Sequence, residues 1–157
     1  MEKFQIERQI GQQLNNQLYN IMNKKNNWLP TEKDIENYSL LMDMLHAQRQ
    51  EFALLSKKKS DGPLNKMKIK MVNRVIEPLN ELLINEPSHK FLDVLNEDEM
   101  PTNSDVVLII SQYEKALQNF RNRYFLIDKN YTDEYELPKA RWNIRENPIL
   151  EEGREEE

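Results

Sequence analysis

The chain has no cysteine, three glycines, two histidines and no long apolar run. Without cysteine there is no disulfide framework, no Cys-ligated zinc, no iron–sulfur cluster and no thiol nucleophile. Gly11, Gly62 and Gly153 lie far apart, whereas phosphate cradles need closely spaced glycines so that backbone N–H groups can approach the anion. Nucleotide-binding loops of the G-x-G-x-x-G and G-x-x-x-x-G-K-[ST] types are therefore missing. No segment approaches the ~20 apolar residues that span a bilayer. Residues 1 to 27 are crowded with charges and amides and lack the apolar centre of a secretory signal. These absences lead to an expectation of a soluble, cytoplasmic protein.

What the sequence does contain suits one domain with a tail: 157 residues, 38% of them hydrophobic and 31% charged, enough for one modest core. The charge is unevenly placed. Residues 128 to 157 hold ten acids against five bases, while residues 57 to 74 hold Lys57, Lys58, Lys59, Lys66, Lys68, Lys70 and Arg74 against Asp61 alone. Such polarity fits a binding face with an acidic tail, or simply solvated surface. Eleven of the 27 Asn and Gln residues fall between Gln5 and Asn27, but Phe4, Ile6, Ile10, Leu14, Leu18 and Ile21 recur through the same stretch at mostly four-residue steps. That periodicity predicts a helix rather than a low-complexity segment.

Helical signals continue along the chain. Thr31 followed by Asp34 forms a capping box, and Ile35, Tyr38, Met42, Leu45, Arg49 and Phe52 recur at three- and four-residue steps, predicting a helix to about Lys58. Ser60-Asp61-Gly62-Pro63 is a stop and restart. The next segment is expected to bury Leu64, Met67, Met71, Val72, Val75, Leu79, Leu82 and Leu83, with Pro78 kinking or breaking it. A short helix from Ser88 to about Asn96 would bury Phe91, Leu92 and Leu95, and Glu97-Asp98-Glu99 reads as loop. Ser104 is the expected cap of the last helix. There Val106, Ile110, Tyr113, Leu117, Phe120, Tyr124 and Ile127 alternate at strict four and three spacing. The β-branched start, Val106 to Ile110, offers a strand as the competing reading.

Beyond Asp128 the periodicity fails and Pro138 and Pro148 appear. The sequence therefore predicts an all-α fold: an elongated bundle of four to five helices over residues 1–127 and an irregular, acidic, Pro-containing tail over 128–157. The tail still carries Tyr131, Tyr135, Leu137, Trp142, Ile144, Ile149 and Leu150, and burying each large apolar side chain is worth ~1.5–3 kcal/mol. It is expected to dock, on its own bundle or on a neighbour, or to lie over the basic stretch as a latch.

No constellation points firmly to catalysis. Asp43 and His46, and Glu86 and His89, have the three-residue spacing used by di-metal carboxylate bundles, but Pro87 separates the second pair across a helix break. Glu32, Glu36, Asp93, Glu97 and Asp98 are oxygen donors of the kind magnesium prefers, yet the first two sit where acids offset a helix dipole. No nucleophile elbow accompanies the serines. Asn37-Tyr38-Ser39 and Asn130-Tyr131-Thr132 match the glycosylation pattern, and Tyr131 and Tyr135 lie among acids as phosphorylation targets would.

The expected function is a non-catalytic interaction protein, an assembly subunit, adaptor or inhibitor, working through helix faces and the tail without a cofactor or metal. Its partner is a protein, with homodimerisation compatible. Tyr131, Tyr135, Trp142 and Ile149 are the candidate partner-binding residues, while Tyr113, Phe120 and Tyr124 are expected in the core. The alternative is a helical protein that contacts nucleic acid through residues 57–74, with Lys66, Lys70 and Arg74 on one stripe following a phosphate backbone.

Overall fold

The computed structural model describes residues 5, 6, 9–11, 13, 14 and 28–150. The expected apolar positions Phe4, Leu18 and Ile21, and the acidic end at 151–157, lie outside the described residues. Gln5, Ile6, Gln9, Ile10, Gly11, Gln13 and Leu14 are helical, as the four-residue steps predict, and exposed. Three longer helices follow, α1 (Glu32–Lys58), α2 (Lys66–Leu82) and α3 (Asn103–Tyr124), and then two strands, β1 (Phe125–Thr132) and β2 (Pro138–Trp142). Single 3₁₀ turns at Pro87–Phe91 and Glu97–Glu99 interrupt the connection between α2 and α3. No helix among the described residues is long and apolar enough to cross a membrane.

α1 starts where its capping box requires. The Asp34 N–H donates to Thr31 Oγ1 at 3.1 Å, and the Thr31 N–H donates back to Asp34 Oδ2 at 2.8 Å, so two otherwise orphaned donors are satisfied. Tyr38, Leu45 and Phe52, at seven-residue steps, are its buried positions. The helix ends at Lys58, and the following turn is sewn to the start of α3. Asn103 Nδ2 donates to the Lys59 carbonyl at 2.9 Å, and the Asn103 N–H donates to the Gly62 carbonyl at 2.9 Å. A Cβ at Gly62 would stand 2.8 Å from Asn103 Nδ2 and 3.1 Å from the Lys59 carbonyl, so the close approach of these two segments demands glycine here.

α2 buries Ile69, Val72, Val75, Ile76, Leu79 and Leu82 and runs through Pro78. Met67 and Met71, expected in this core, are instead 66% and 54% exposed. The sequence supports two overlapping three-and-four stripes on this helix. Packing selects the one with Ile69 and Ile76, which leaves both methionines beside the lysines on the outer face. After α2 the expected helix from Ser88 is only the turn Pro87–Phe91 followed by extended chain; Leu92 and Leu95 are buried as expected, but Phe91 is exposed. Two amides on α2 hold this connection. Asn73 Nδ2 donates to the Leu95 carbonyl at 2.9 Å and its Oδ1 accepts the Leu95 N–H at 3.0 Å, while Asn80 bonds His89 Nε2 at 2.9 Å and the Tyr113 hydroxyl at 3.0 Å.

α3 is capped by Thr102 and not by Ser104, again through a capping box, with Asp105. Val106 to Ile110 is helical, so the strand alternative for this stretch does not hold. Val106, Ile110, Tyr113, Leu117, Phe120 and Tyr124 are all buried and form the spine against which α1 and α2 pack. Burial raises the hydroxyl pKa of Tyr38 and Tyr113 above the ordinary phenol value, as expected for rings on this spine.

The all-α expectation is corrected at the end of the spine. Helix gives way to strand at Phe125, and β1 pairs with β2 as an antiparallel hairpin, Phe125 opposite Trp142, Leu126 opposite Arg141, Ile127 opposite Ala140 and Asp128 opposite Lys139, with a bulge before Thr132–Pro138. Ile127, predicted as the last rung of the helical stripe, lies in β1 and is 69% exposed. The physical reason lies in the partners available. The Asn143 N–H caps the Tyr124 carbonyl at 2.6 Å, Phe125 and Trp142 meet ring to ring, and the Arg141 guanidinium clamps Asp128. One more helical turn would forfeit all three. The C-terminal segment is therefore not an irregular tail up to residue 142, and its expected docking is onto its own bundle.

Candidate interaction surfaces

Trp142 is the hinge pin of the C-terminal segment. Its ring centroid lies 5.2 Å from that of Tyr38, 5.2 Å from Phe125 and 6.1 Å from Phe120. Trp28 adds an edge-on contact with Tyr124 at 5.6 Å, so an aromatic cluster from α1, α3, the hairpin and the segment before α1 closes one end of the bundle. Offset and edge-to-face geometries of this kind are each worth about 0.5–1.5 kcal/mol beyond simple burial. Trp142, predicted as a partner contact, therefore spends most of its ring on this chain's own core.

The other strand residues are fixed by electrostatics. Arg141 Nε donates to Asp128 Oδ2 at 2.5 Å, and Arg141 Nη1 donates to the Asn147 carbonyl at 2.6 Å. One guanidinium thus ties both strands to the chain that follows them. The Arg141 hydrogen bond, reinforced by the Asn130 N–H at 2.9 Å, holds the Asp128 carboxyl below the usual carboxylate range. The hairpin loop is closed by Asp133, whose Oδ1 accepts the N–H groups of Tyr135 and Leu137, each at 2.9 Å. Glu136 takes a left-handed conformation there, φ 60°.

Of the four predicted partner residues, Tyr131 and Tyr135 face solvent, Trp142 is inward, and Ile149 is half-buried with its N–H on Asn143 Oδ1 at 2.8 Å. Tyr131 is partly covered by the Lys139 ammonium, 5.8 Å from the ring centroid. The four candidates leave out Ile127, predicted as a helix rung, and Leu137, counted only among the apolar residues of the tail; with Tyr135 and Leu150 these are the most exposed apolar side chains of the segment. Ile149 and Leu150 border a groove of about 810 Å³ along β1.

Lys66, Lys70 and Arg74 do share one exposed face of α2, as their four-residue steps predict. They line an open groove of about 740 Å³, but Glu77 and Glu97 line it too, and Lys66 Nζ is 3.0 Å from Glu97 Oε1. The face is therefore mixed in charge, and the exposed Met67 and Met71 run beside it.

The histidine pairs do not converge on a metal. His46 Nδ1 is 3.3 Å from Glu114 Oε1, and Arg49 pairs with the other oxygen of the same carboxylate. His89 is turned to Asn80. Glu86 is buried, accepting the Tyr124 hydroxyl at 2.8 Å, with Arg123 Nε at 3.6 Å. Burial, and then the bond to this carboxylate, push the Tyr124 hydroxyl pKa far above its ordinary value. Among the described residues no group of three or more His, Asp or Glu side chains is placed to hold a metal ion. Asp43 instead joins Glu32 and Glu36 along a groove of about 620 Å³ between α1 and the hairpin, with Leu40, Trp142 and Ile144 as its apolar lining.

Compared with known proteins, the chain matches no family model, no curated protein and no solved structure.

Proposed function

We propose that this chain is a non-catalytic interaction protein whose partner-facing element is the outer rim of the C-terminal hairpin. The observation that supports this reading is the exposure of Ile127 (69%), Tyr135 (74%), Leu137 (60%) and Leu150 (75%) within one short segment held by an aromatic anchor. Large apolar side chains left exposed at this density in one anchored segment favour a contact site. The division of labour is physical: Trp142 and Arg141 fix the ribbon, so a partner meets side chains whose ordering cost has already been met.

The test uses the two lysines of the ribbon as reporters. The full chain is incubated with an extract of its source cells, cross-linked through Lys129 and Lys139, and mapped by mass spectrometry beside an Ile127→Lys/Leu137→Lys variant. The reading expects links to one recurring protein, or to a second copy of this chain, that disappear in the variant while its circular dichroism is unchanged. An identical set of links from both proteins would overturn it.

A further inference from the structure

Two surfaces away from the hairpin rim carry matching, unsatisfied features. The first is the groove between α1 and the hairpin. Its lining is Leu40, Trp142 and Ile144, and its rim is Glu32, Glu36 and Asp43. Leu40 is 62% exposed. Among the described residues none of the three carboxylates has a cationic partner within salt-bridge distance. The dipole of α1 accounts for Glu32 in the first turn, but Asp43 stands in the fourth turn, beyond its reach.

The second surface is the outer face of α2. Lys66, Lys70 and Arg74 form one row at four-residue steps, and Met67 and Met71 form the next row. Both methionines are more than half exposed. Lys70 and Arg74 have no carboxylate partner among the described residues, and the Lys66–Glu97 pair is itself open to solvent on both sides, where such pairs contribute little. Methionine is the apolar residue best able to adapt to an irregular, aromatic-lined groove.

We propose that these two surfaces are one interface: the outer face of α2 in one copy docks into the α1–hairpin groove of a second copy. Glu32, Glu36 and Asp43 meet Lys70, Arg74 and, by exchange with Glu97, Lys66, leaving Glu77 and Glu97 at the border of the α2 face, and Met67 and Met71 cover Leu40 and the exposed edge of Trp142. The partner is thereby specified as this same chain. Because the two patches are different, the contact is heterologous and extends head to tail unless a twofold axis closes it. The hairpin rim takes no part, so this inference stands apart from the function proposed above.

A contact between two open, solvated patches belongs to the weak class, with Kd on the order of micromolar, and its charged rim makes it salt-dependent. The test is light scattering coupled to size exclusion on the full chain at roughly 100 μM, well above such a Kd. It compares a groove variant, Glu36→Lys/Asp43→Lys, a stripe variant, Lys70→Glu/Arg74→Glu, and their 1:1 mixture. The expected result is a wild type larger than a monomer at low salt, each variant monomeric with at least a tenfold weaker association, and a heterodimer in the mixture. The mixture pairs because the stripe of the groove variant and the groove of the stripe variant are both intact. A monomeric wild type at low salt, assembly that survives in either variant, or a mixture that stays monomeric would overturn the proposal. Unchanged circular dichroism spectra ensure that a monomeric variant is a folded one.

Discussion

Replacing Trp142 with alanine probes the join between hairpin and bundle. Its indole touches Tyr38, Phe120 and Phe125 at centroid distances of 5.2 to 6.1 Å, and the spine residue Phe120 is fully buried beneath it. A Trp→Ala change at a sealed core site costs about 3–5 kcal/mol; Trp142 leaves one edge on the α1 groove, so we expect about 2–3 kcal/mol. For a domain of this size each kcal/mol shifts Tm by about 2–4 °C, giving a drop of about 4–12 °C. The loss should be local first, because a two-stranded ribbon without its anchor is marginal in water. Hydrogen exchange read peptide by peptide distinguishes the two levels: amides of β1 and β2 should lose most of their protection while those around Leu45 and Leu117 keep theirs. Hairpin amides that remain protected, with Tm within 1 °C of wild type, would refute the reasoning.

Three further outcomes follow from the buried polar contacts and the tight turn. Tyr124→Phe removes the hydroxyl that donates to Oε1 of the buried Glu86 carboxylate and should cost about 1–3 kcal/mol in urea unfolding; a change within error would show that Arg123 alone suffices. The Asp128 carboxyl is held below its ordinary value, so its stabilising effect is complete above that value and is lost as pH falls through the depressed one. Hairpin protection should therefore fall only below about pH 4, and Asp128→Asn should already be weakened at pH 7 and show no acid step. Gly62→Ala forces a Cβ to within 2.8 Å of Asn103 Nδ2 and should destabilise by about 1–3 kcal/mol, read as a lower urea midpoint with unchanged slope; an unchanged midpoint would mean that the turn can open without cost.

The helical part of the fold was legible because its signals are local and redundant. Thr31 with Asp34 specifies the α1 start by itself, and the row from Val106 to Tyr124 tolerates only one face inward. On α2 the signal was ambiguous: Met67 and Met71 extend a good stripe, yet Ile69 and Ile76 extend a competing one, and only contact with α1 and α3 decides between them. The hairpin was illegible for a related reason. Strand recognition from sequence relies on alternation between a buried and a solvated face, but β1 has water on most of both faces and only Asp128 is buried in it. Its apolar start also happens to continue the four-three rhythm of α3 by one rung, Ile127. The signals that could have found it are Phe125-Leu126-Ile127 as a strand-forming run, Asp133 before a tight loop, and Asp128 with Arg141 as a charge pair across strands.

The candidate surfaces divide along the same line. Lys66, Lys70 and Arg74 needed only helical geometry to be placed together, and they are together. Trp142 was singled out because an exposed tryptophan is costly, and that cost is met within the chain by Tyr38 and Phe120. The grouping of Glu32, Glu36 and Asp43 with Leu40 and Ile144 depends on the hairpin lying beside α1, which no local pattern encodes. Asn73 and Asn80, seven residues apart on α2, bind the connection through its backbone, and an amide at such a position carries no sequence signature.

The central claim is that residues 125 to 142 form a hairpin docked through Trp142, which is what places both the exposed rim and the α1 groove. Nuclear Overhauser spectroscopy on the isotope-labelled chain tests it most directly. The account predicts cross-strand contacts between Ile127 and Ala140 and between Phe125 and Trp142, together with contacts from the Trp142 indole to the rings of Tyr38 and Phe120. Random-coil shifts through residues 125 to 142, or helical contacts from Tyr124 on to Ile127, would contradict it.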